Sequence, residues 1–188
     1  MSTAAPPPRT RDRDRRRKII SAATHLFRTR GFHAVGMDEV GEAAGITGPG
    51  VYRHFAGKDD LLVSVFEEAT DDLWQDLGGG EPEGLEVYVS SHVAYAVSHA
   101  EAIELWYQEG RHLPAGARAA QRRIQRRYVE RWVAALLDAR PDLDEAEARI
   151  RVRAVIGLIH SSTSSDRHTD SDALRPVLER MALAALLA

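Results

Sequence analysis

Apolar residues recur at three- and four-residue spacing along most of the 188-residue chain, and no stretch alternates as a strand does, so the pattern predicts an all-α fold of about nine helices. Ile19, Ile20, Ala23, Leu26 and Phe27 mark a first helix over about 15–30, ended by Gly31. Met37, Val40, Ala43 and Ala44 mark a short second helix stopped by Gly45, and Val51, Tyr52 and Phe55 a short third. Leu61, Leu62, Val65, Phe66, Ala69, Leu73 and Leu77 form the stripe of a fourth over about 58–77. The run Gly78-Gly79-Gly80-Glu81-Pro82 predicts a loop. Beyond it the helical period returns at about 84–99, 101–109 and 117–140, with a loop around Leu113-Pro114-Ala115-Gly116. Asp144 and Glu147 have capping-box spacing and open a helix to about Ser165. A polar segment, Asp166 to Asp172, precedes a last helix carrying Leu174, Val177, Leu178, Met181, Ala182 and Ala185.

The densest set of turn and cap signals lies between Met37 and Phe55. Ala43 and Ala44 are small enough for close helix packing, Gly45 can take the left-handed conformation of a sharp turn, and Ile46 can plug the corner. Thr47 suits an N-cap and Pro49 the first turn, where a missing N–H is harmless. These spacings fit a helix-turn-helix whose second helix can enter a major groove. They also fit a helical hairpin that merely packs.

The block from Lys18 to Phe66 resembles the DNA-binding domain of tetracycline-repressor-like (TetR family) transcriptional regulators. The resemblance rests on Ile20-x-x-Ala23-x-x-x-Phe27-x-x-x-Gly31-Phe32, on Met37-x-x-Val40-x-x-x-Ala44-Gly45-Ile46, and on Val51-Tyr52-x-x-Phe55-x-x-Lys58-x-x-Leu61-Leu62. It implies a helix-turn-helix head over 15–60, with the motif at about 37–56, and a helical ligand-binding and dimerising body over 61–188, helix four connecting the two. Tyr52, His54 and Lys58 would then meet the DNA backbone, leaving base reading to Thr47, Gly48, Pro49, Gly50 and Arg53. Met37 stands where such regulators often carry a phosphate-contacting Thr, so one contact is expected to be missing. Gly48 and Gly50 would bare the leading edge of the recognition helix for close approach to bases.

Charge sharpens this division. Residues 1–60 hold 11 Lys/Arg against 7 Asp/Glu, net +4, and residues 61–188 hold 14 against 21, net −7, giving −3 in all. A basic head on an acidic body suits a protein that meets phosphate at one end only. Residues 1–14, Pro-rich and then mixed Arg and Asp, read as a flexible basic arm whose Arg9, Arg11 and Arg13, with Arg15, Arg16 and Arg17, either reach DNA or stay solvated. The absence of cysteine removes disulfide frameworks, thiolate nucleophiles and Cys-based metal sites. The longest apolar run, Met181 to Ala188, is far short of the ~20 residues of a membrane helix, and no signal-peptide pattern is present, so a cytoplasmic location without membrane contact is expected.

In the resembling family the last two helices pair with their copies, and Val155, Ile156, Gly157, Leu174, Leu178 and Met181, with small Ser161, Ser162, Ser164 and Ser165, are the candidate homodimer face. A regulatory pocket is expected among helices four to eight, from Trp74, His92, Tyr95, Trp106, Tyr107, Arg111, Trp132 and His160, with Tyr88 and His112 nearby. Arg111 or His112 would hold an anionic ligand end. His92 and His99, seven apart, could bind metal with His112 or His160, although ordinary core or surface histidines are the plainer reading, and no metal or other cofactor is assigned. The sequence thus predicts a non-enzymatic regulator, most simply a repressor that binds a palindromic operator as a dimer and is released by a small, largely apolar molecule. Activation or co-ligand-dependent DNA binding, an architectural DNA-binding protein and a metal-dependent helical enzyme are the alternatives. No nucleophile or phosphate-loop motif supports the last.

Overall fold

A computed structural model describes residues 8–76, 84–165 and 171–188, and all regular structure among them is helical. The helices are α1 (Pro8–Arg30), α2 (Met37–Ala43), α3 (Gly48–Val51), α4 (Lys58–Asp76), α5 (Leu85–Ser98), α6 (Ala100–Glu109), α7 (Ala115–Ala139), α8 (Glu145–Ser165) and α9 (Ser171–Leu187), with a 3₁₀ turn at Gly110–His112. Helices α1 to α3 make the head and α5 to α9 the body, with α4 running from one to the other. The expected loop at 78–82 and most of the 166–172 segment lie outside the described residues.

Two positions depart from the periodicity reading. Helix α1 begins at Pro8 rather than near residue 15, so the latter half of the expected arm is helical. Pro at the first position of a helix costs no hydrogen bond, and Asp12 and Asp14 each precede a basic residue by four, Arg16 and Lys18, the spacing that supports an exposed helix. Helix α7 starts at Ala115, shortening the preceding loop. At α8 the cap holds in part: the Glu147 backbone N–H donates to Asp144 Oδ1 at 2.8 Å. The Glu147 side chain turns instead to Arg151, 3.0 Å from its Nε.

The buried side chains fall into two clusters. In the head, Ile19, Ala23, Phe27, Val40, Val51 and Phe55 pack with Leu61 and Leu62 of α4, and Leu105 and Leu113 of the body enter the same cluster. In the body, Val89, Val93, Trp132, Leu136, Val152 and Ile159 are the centre. Helix α4 divides its apolar face accordingly, Leu61, Leu62 and Phe66 joining the head while Leu73 and Trp74 lean on the body.

Ionic contacts stitch α1 to α4 and α6. The Arg28 side chain, only 4% exposed, reaches Glu101 at 2.8 Å and Glu104 at 3.2 Å. Arg17 pairs with Glu68 at 3.1 Å, and Arg16 donates to the Ser64 hydroxyl at 3.0 Å. At the far end of α6, the Phe32 backbone N–H donates to Glu109 Oε1 at 3.1 Å. Both acidic partners of Arg28 keep access to water, which limits what the pairs contribute. Arg28→Leu should strand Glu101 and Glu104 beside each other and cost about 1–2 kcal/mol in a urea unfolding titration. A change below a few tenths would mean that the clamp is only geometric.

Candidate functional site

The turn between α2 and α3 is fixed by local chemistry. Gly45 adopts φ +70°, a left-handed conformation that side chains resist. The Ile46 N–H donates to the Gly41 carbonyl at 2.9 Å, closing the chain back on α2. Close packing falls to Gly41: a Cβ there would lie 3.2 Å from backbone atoms of Ile46, Thr47 and Gly48. Ala43, by contrast, is exposed. The one signal for Gly41 was its place one turn before Gly45 on a buried face. Thr47 occupies the N-cap position of α3 with extended backbone, but its hydroxyl makes no cap bond. Its carbonyl accepts from the Gly50 N–H at 2.8 Å.

The outer surface of this unit presents Thr47, Pro49, Tyr52 and Arg53, all exposed, with Tyr52 at 54%. Arg53 has no ion-pair partner among the described residues, so its guanidinium is available to an incoming anion. The glycines do a different job from the expected one. A Cβ on Gly48 would collide with Asp38 Oδ1 at 1.7 Å, and one on Gly50 would meet Thr47 Oγ1 at 3.3 Å. Both bare positions therefore face protein, and Gly48 makes room for the Asp38 carboxylate against the start of α3. Met37 is buried in the head cluster.

His54 and Lys58 are held more tightly than the sequence implies. The His54 side chain is 9% exposed, with Nδ1 3.6 Å from Asp12. Lys58 Nζ donates to the Val35 carbonyl at 3.0 Å and the His33 carbonyl at 3.3 Å, and sits 4.7 Å from the Phe32 ring centre. It thereby ties the loop after α1 to the first turn of α4. One ammonium proton stays uncommitted to those carbonyls.

The body encloses a cavity of about 350 Å³ between α4, α5, α6, α7 and α8. Of the eight residues expected there, His92, Tyr95, Trp106, Tyr107 and His160 line it. Three do not. Trp74 is not part of the wall; its ring meets Tyr128 edge-on at 5.7 Å and carries Arg131 at 4.9 Å. Trp132 lies behind the wall, fully buried in the body core. Arg111 belongs to the head seam, where its Nε meets the His112 ring at 3.2 Å. Periodicity placed each on a helix without saying which side the hollow is on. Sequence reasoning missed Phe66, Thr70, Ile103, Gln121, Tyr128 and Ile156, which are also part of the wall.

Inside the cavity four side chains form a line. Tyr128 Oη lies 2.9 Å from His92 Nδ1, His92 Nε2 3.1 Å from His160 Nε2, and His160 Nδ1 3.1 Å from Tyr107 Oη. Burial pushes the His160 imidazole down to about 4, and burial followed by the neighbouring His160 ring pushes His92 well below its ordinary value. Burial raises the Tyr128 and Tyr107 phenols. All four groups are therefore neutral near pH 7. The other histidines are dispersed: His99 pairs with Asp72 at 3.1 Å, and His112 lies 3.1 Å from His33. No grouping of three or more metal-ligating side chains occurs among the described residues. No described helix is long and apolar enough to cross a membrane.

The residues expected at a dimer face do not share one environment. Val155 and Leu178 are buried in the body core, Ile156 lines the cavity, and Leu174 is half-buried against the core. Gly157 and Met181 are exposed. With them, Ile150 (68% exposed), Ala154 and Ser161 form one stripe of α8, and Ala173, Val177 and Ala184 one of α9. Helices with two apolar sides leave the phase undecided until one side finds a core.

Residues 19–65 match the sequence profile of the bacterial regulatory proteins of the tetR family. Among curated proteins, the transcriptional activator FasR of Mycolicibacterium smegmatis is 40% identical over 60 residues, 32% of this chain and 27% of that one. The transcriptional repressor KstR2 of Rhodococcus jostii is 26% identical over 130 residues, 65% of this chain and 63% of that one. The chain thus spans less than two thirds of the length of either relative. Among solved structures, the TetR-family regulator PfmR of Thermus thermophilus superposes with a TM-score of 0.76 at 18% identity, over 90% of this chain and 97% of that one. AibR, solved with isovaleryl coenzyme A and operator DNA, superposes at 0.72 and 18% identity, over 89% and 97%. At such identities these two likenesses establish the fold.

The neutral histidine pair has a measurable consequence. An unfolded chain protonates both rings below about pH 6.5, whereas the folded one does not, so stability falls as the pH drops from 6.5 toward 4. His160 alone should remove about 1 kcal/mol between pH 7 and pH 5.5. Denaturant midpoints of the protein and of His160→Phe should diverge across that interval, the variant having the flatter profile; parallel profiles would mean that the pair is not held neutral.

Proposed function

We propose that the chain, whose residues 19–65 match the bacterial regulatory proteins of the tetR family, is a transcriptional regulator of that family that binds operator DNA through α2 and α3 and answers to a small, largely apolar effector in the body cavity. The observation that carries this reading is the exposed set Thr47, Pro49, Tyr52 and Arg53 on a turn locked by Gly45. Tyr52 can donate to a phosphate oxygen, and Arg53 can pair with phosphate or with guanine. His54 and Lys58 position the head: one fixes α1 beside the motif, the other the entry to α4. We read the protein as non-enzymatic and cytoplasmic.

A homodimer follows from the stripes of α8 and α9. Ile150, Ala154, Gly157, Val177 and Met181 leave apolar and small groups in water, and a two-fold partner that covers them sets two heads on a roughly palindromic operator. Coupling runs through α4 and α6. Trp106 and Tyr107 of α6 line the cavity while Glu101 and Glu104 of the same helix hold Arg28 of the head. An effector that prefers one placing of α6 by a few kcal/mol shifts the spacing of the heads. We read the protein as a repressor. Relatives of both signs exist, FasR an activator and KstR2 a repressor.

The test is fluorescence anisotropy on DNA from upstream of the coding region, against a scrambled duplex, at physiological salt. Specific binding by the upstream duplex supports the reading; equal weak binding to both sinks it for that site. Tyr52→Ala should lower operator affinity about ten-fold and leave the melting temperature unchanged, the side chain being exposed. Ile150→Glu with Met181→Glu should shift the sedimenting species from dimer to monomer and abolish specific binding; a dimer that survives both changes uses another face.

A further inference from the structure

We infer that the buried part of the effector is an uncharged molecule bearing a hydroxyl or carbonyl oxygen, bound with that oxygen at the junction of His92 and His160; this rests on the effector reading above. The cavity wall contains no Asp, Glu, Lys or Arg. Its polar groups are hydroxyls, amides and imidazoles, those of Thr70, Gln121, Gln125, Tyr107, Tyr128 and the two histidines. A carboxylate or ammonium taken into such a wall would give up its hydration without meeting an opposite charge. Arg111, the cation that sequence reasoning set aside for an anionic ligand end, lies at the head seam instead.

The line from Tyr128 through His92 and His160 to Tyr107 specifies the polar group further. Each neutral ring carries one N–H, so the Nε2 to Nε2 contact of 3.1 Å uses one proton, donated by one ring and accepted by the other. The two phenols sit on the remaining nitrogens, and in either direction of the line all four ring nitrogens are paired. A group that enters between the rings meets one donor and one acceptor if the line keeps its direction, or two N–H donors if both rings carry the proton on Nε2 and the phenols donate to the two Nδ1 atoms. A hydroxyl oxygen answers either case and a carbonyl oxygen the second, whereas an apolar group answers neither and strands a ring proton in the wall. The remaining wall, Phe66, Leu73, Ile103, Trp106, Ile124 and Ile156 among it, suits an apolar frame, and about 350 Å³ accommodates one or two fused rings.

The probes are 2-naphthol, naphthalene and 2-naphthoate, matched in shape and different at one group, titrated by calorimetry at pH 7.5 into the full chain and into His160→Phe. The expected order is 2-naphthol about ten-fold tighter than naphthalene, with 2-naphthoate weakest. His160→Phe should erase the preference for the naphthol while still binding naphthalene, which also shows that the variant is folded. Tyr107→Phe, which keeps the rings paired, should retain most of the preference. Naphthoate binding as tightly as naphthol, a preference that survives His160→Phe, or no saturable binding of any probe would each overturn the inference. Operator anisotropy on the same samples keeps the two readings apart, since DNA binding that persists when the probes fail leaves the regulator standing and removes only the effector class.

Discussion

Ile103 and Leu105 stand two positions apart on the ten-residue helix α6 and are buried in different cores, Ile103 in that of the body and Leu105 in that of the head. A helix this short cannot turn to suit one core without disturbing the other. The Arg28 clamp to Glu101 and Glu104 at one end, and the Glu109 carboxylate that accepts from Phe32 N–H at the other, fix its placement along the seam. The position of the head is therefore set by α6 as much as by the connecting helix α4. Trp106 belongs to both arrangements, lining the cavity while its ring meets Phe66 edge-on at 5.0 Å.

How much of this could be read in advance depended on whether a residue's role was local. Gly45, Thr47 and Asp144 were legible because turn and cap geometry is decided within a few residues of chain. Val155 and Leu178 were assigned to the dimer face, and Ile150 was overlooked, because α8 and α9 are apolar on more than one side and only tertiary packing sets the phase. Trp74, Trp132 and Arg111 failed as cavity residues for a related reason: aromatic character marks burial, and burial in a solid core looks the same in sequence as burial around a hollow. Lys58 was expected at the DNA backbone from its motif position, whereas the carbonyls of His33 and Val35 that hold it lie more than twenty residues earlier and leave no pattern.

The two ends of the molecule handle polarity in opposite ways. The head keeps Arg53 unpaired among the described residues and Tyr52 in water, where both are accessible and individually weak. The body pairs its polar groups with one another, from the buried Tyr128 through His92 and His160 to Tyr107, which is 65% exposed. Buried networks of this kind are strict about what may join them. Open side chains on a surface are permissive, and in the proposed dimer their selectivity comes from the summed fit of two heads on one duplex.

In the regulator proposed above, a cavity wall without formal charge also separates the affinities for DNA and for effector by their response to the medium. Contacts with DNA phosphates release counterions and weaken steeply as salt rises, whereas a neutral guest in a neutral wall exchanges no ions. Osmotic upshift in the cell would loosen the hold on DNA and leave the sensing of the effector unaltered, so the dose needed for a given response would fall with ionic strength even though the binding chamber itself had not changed.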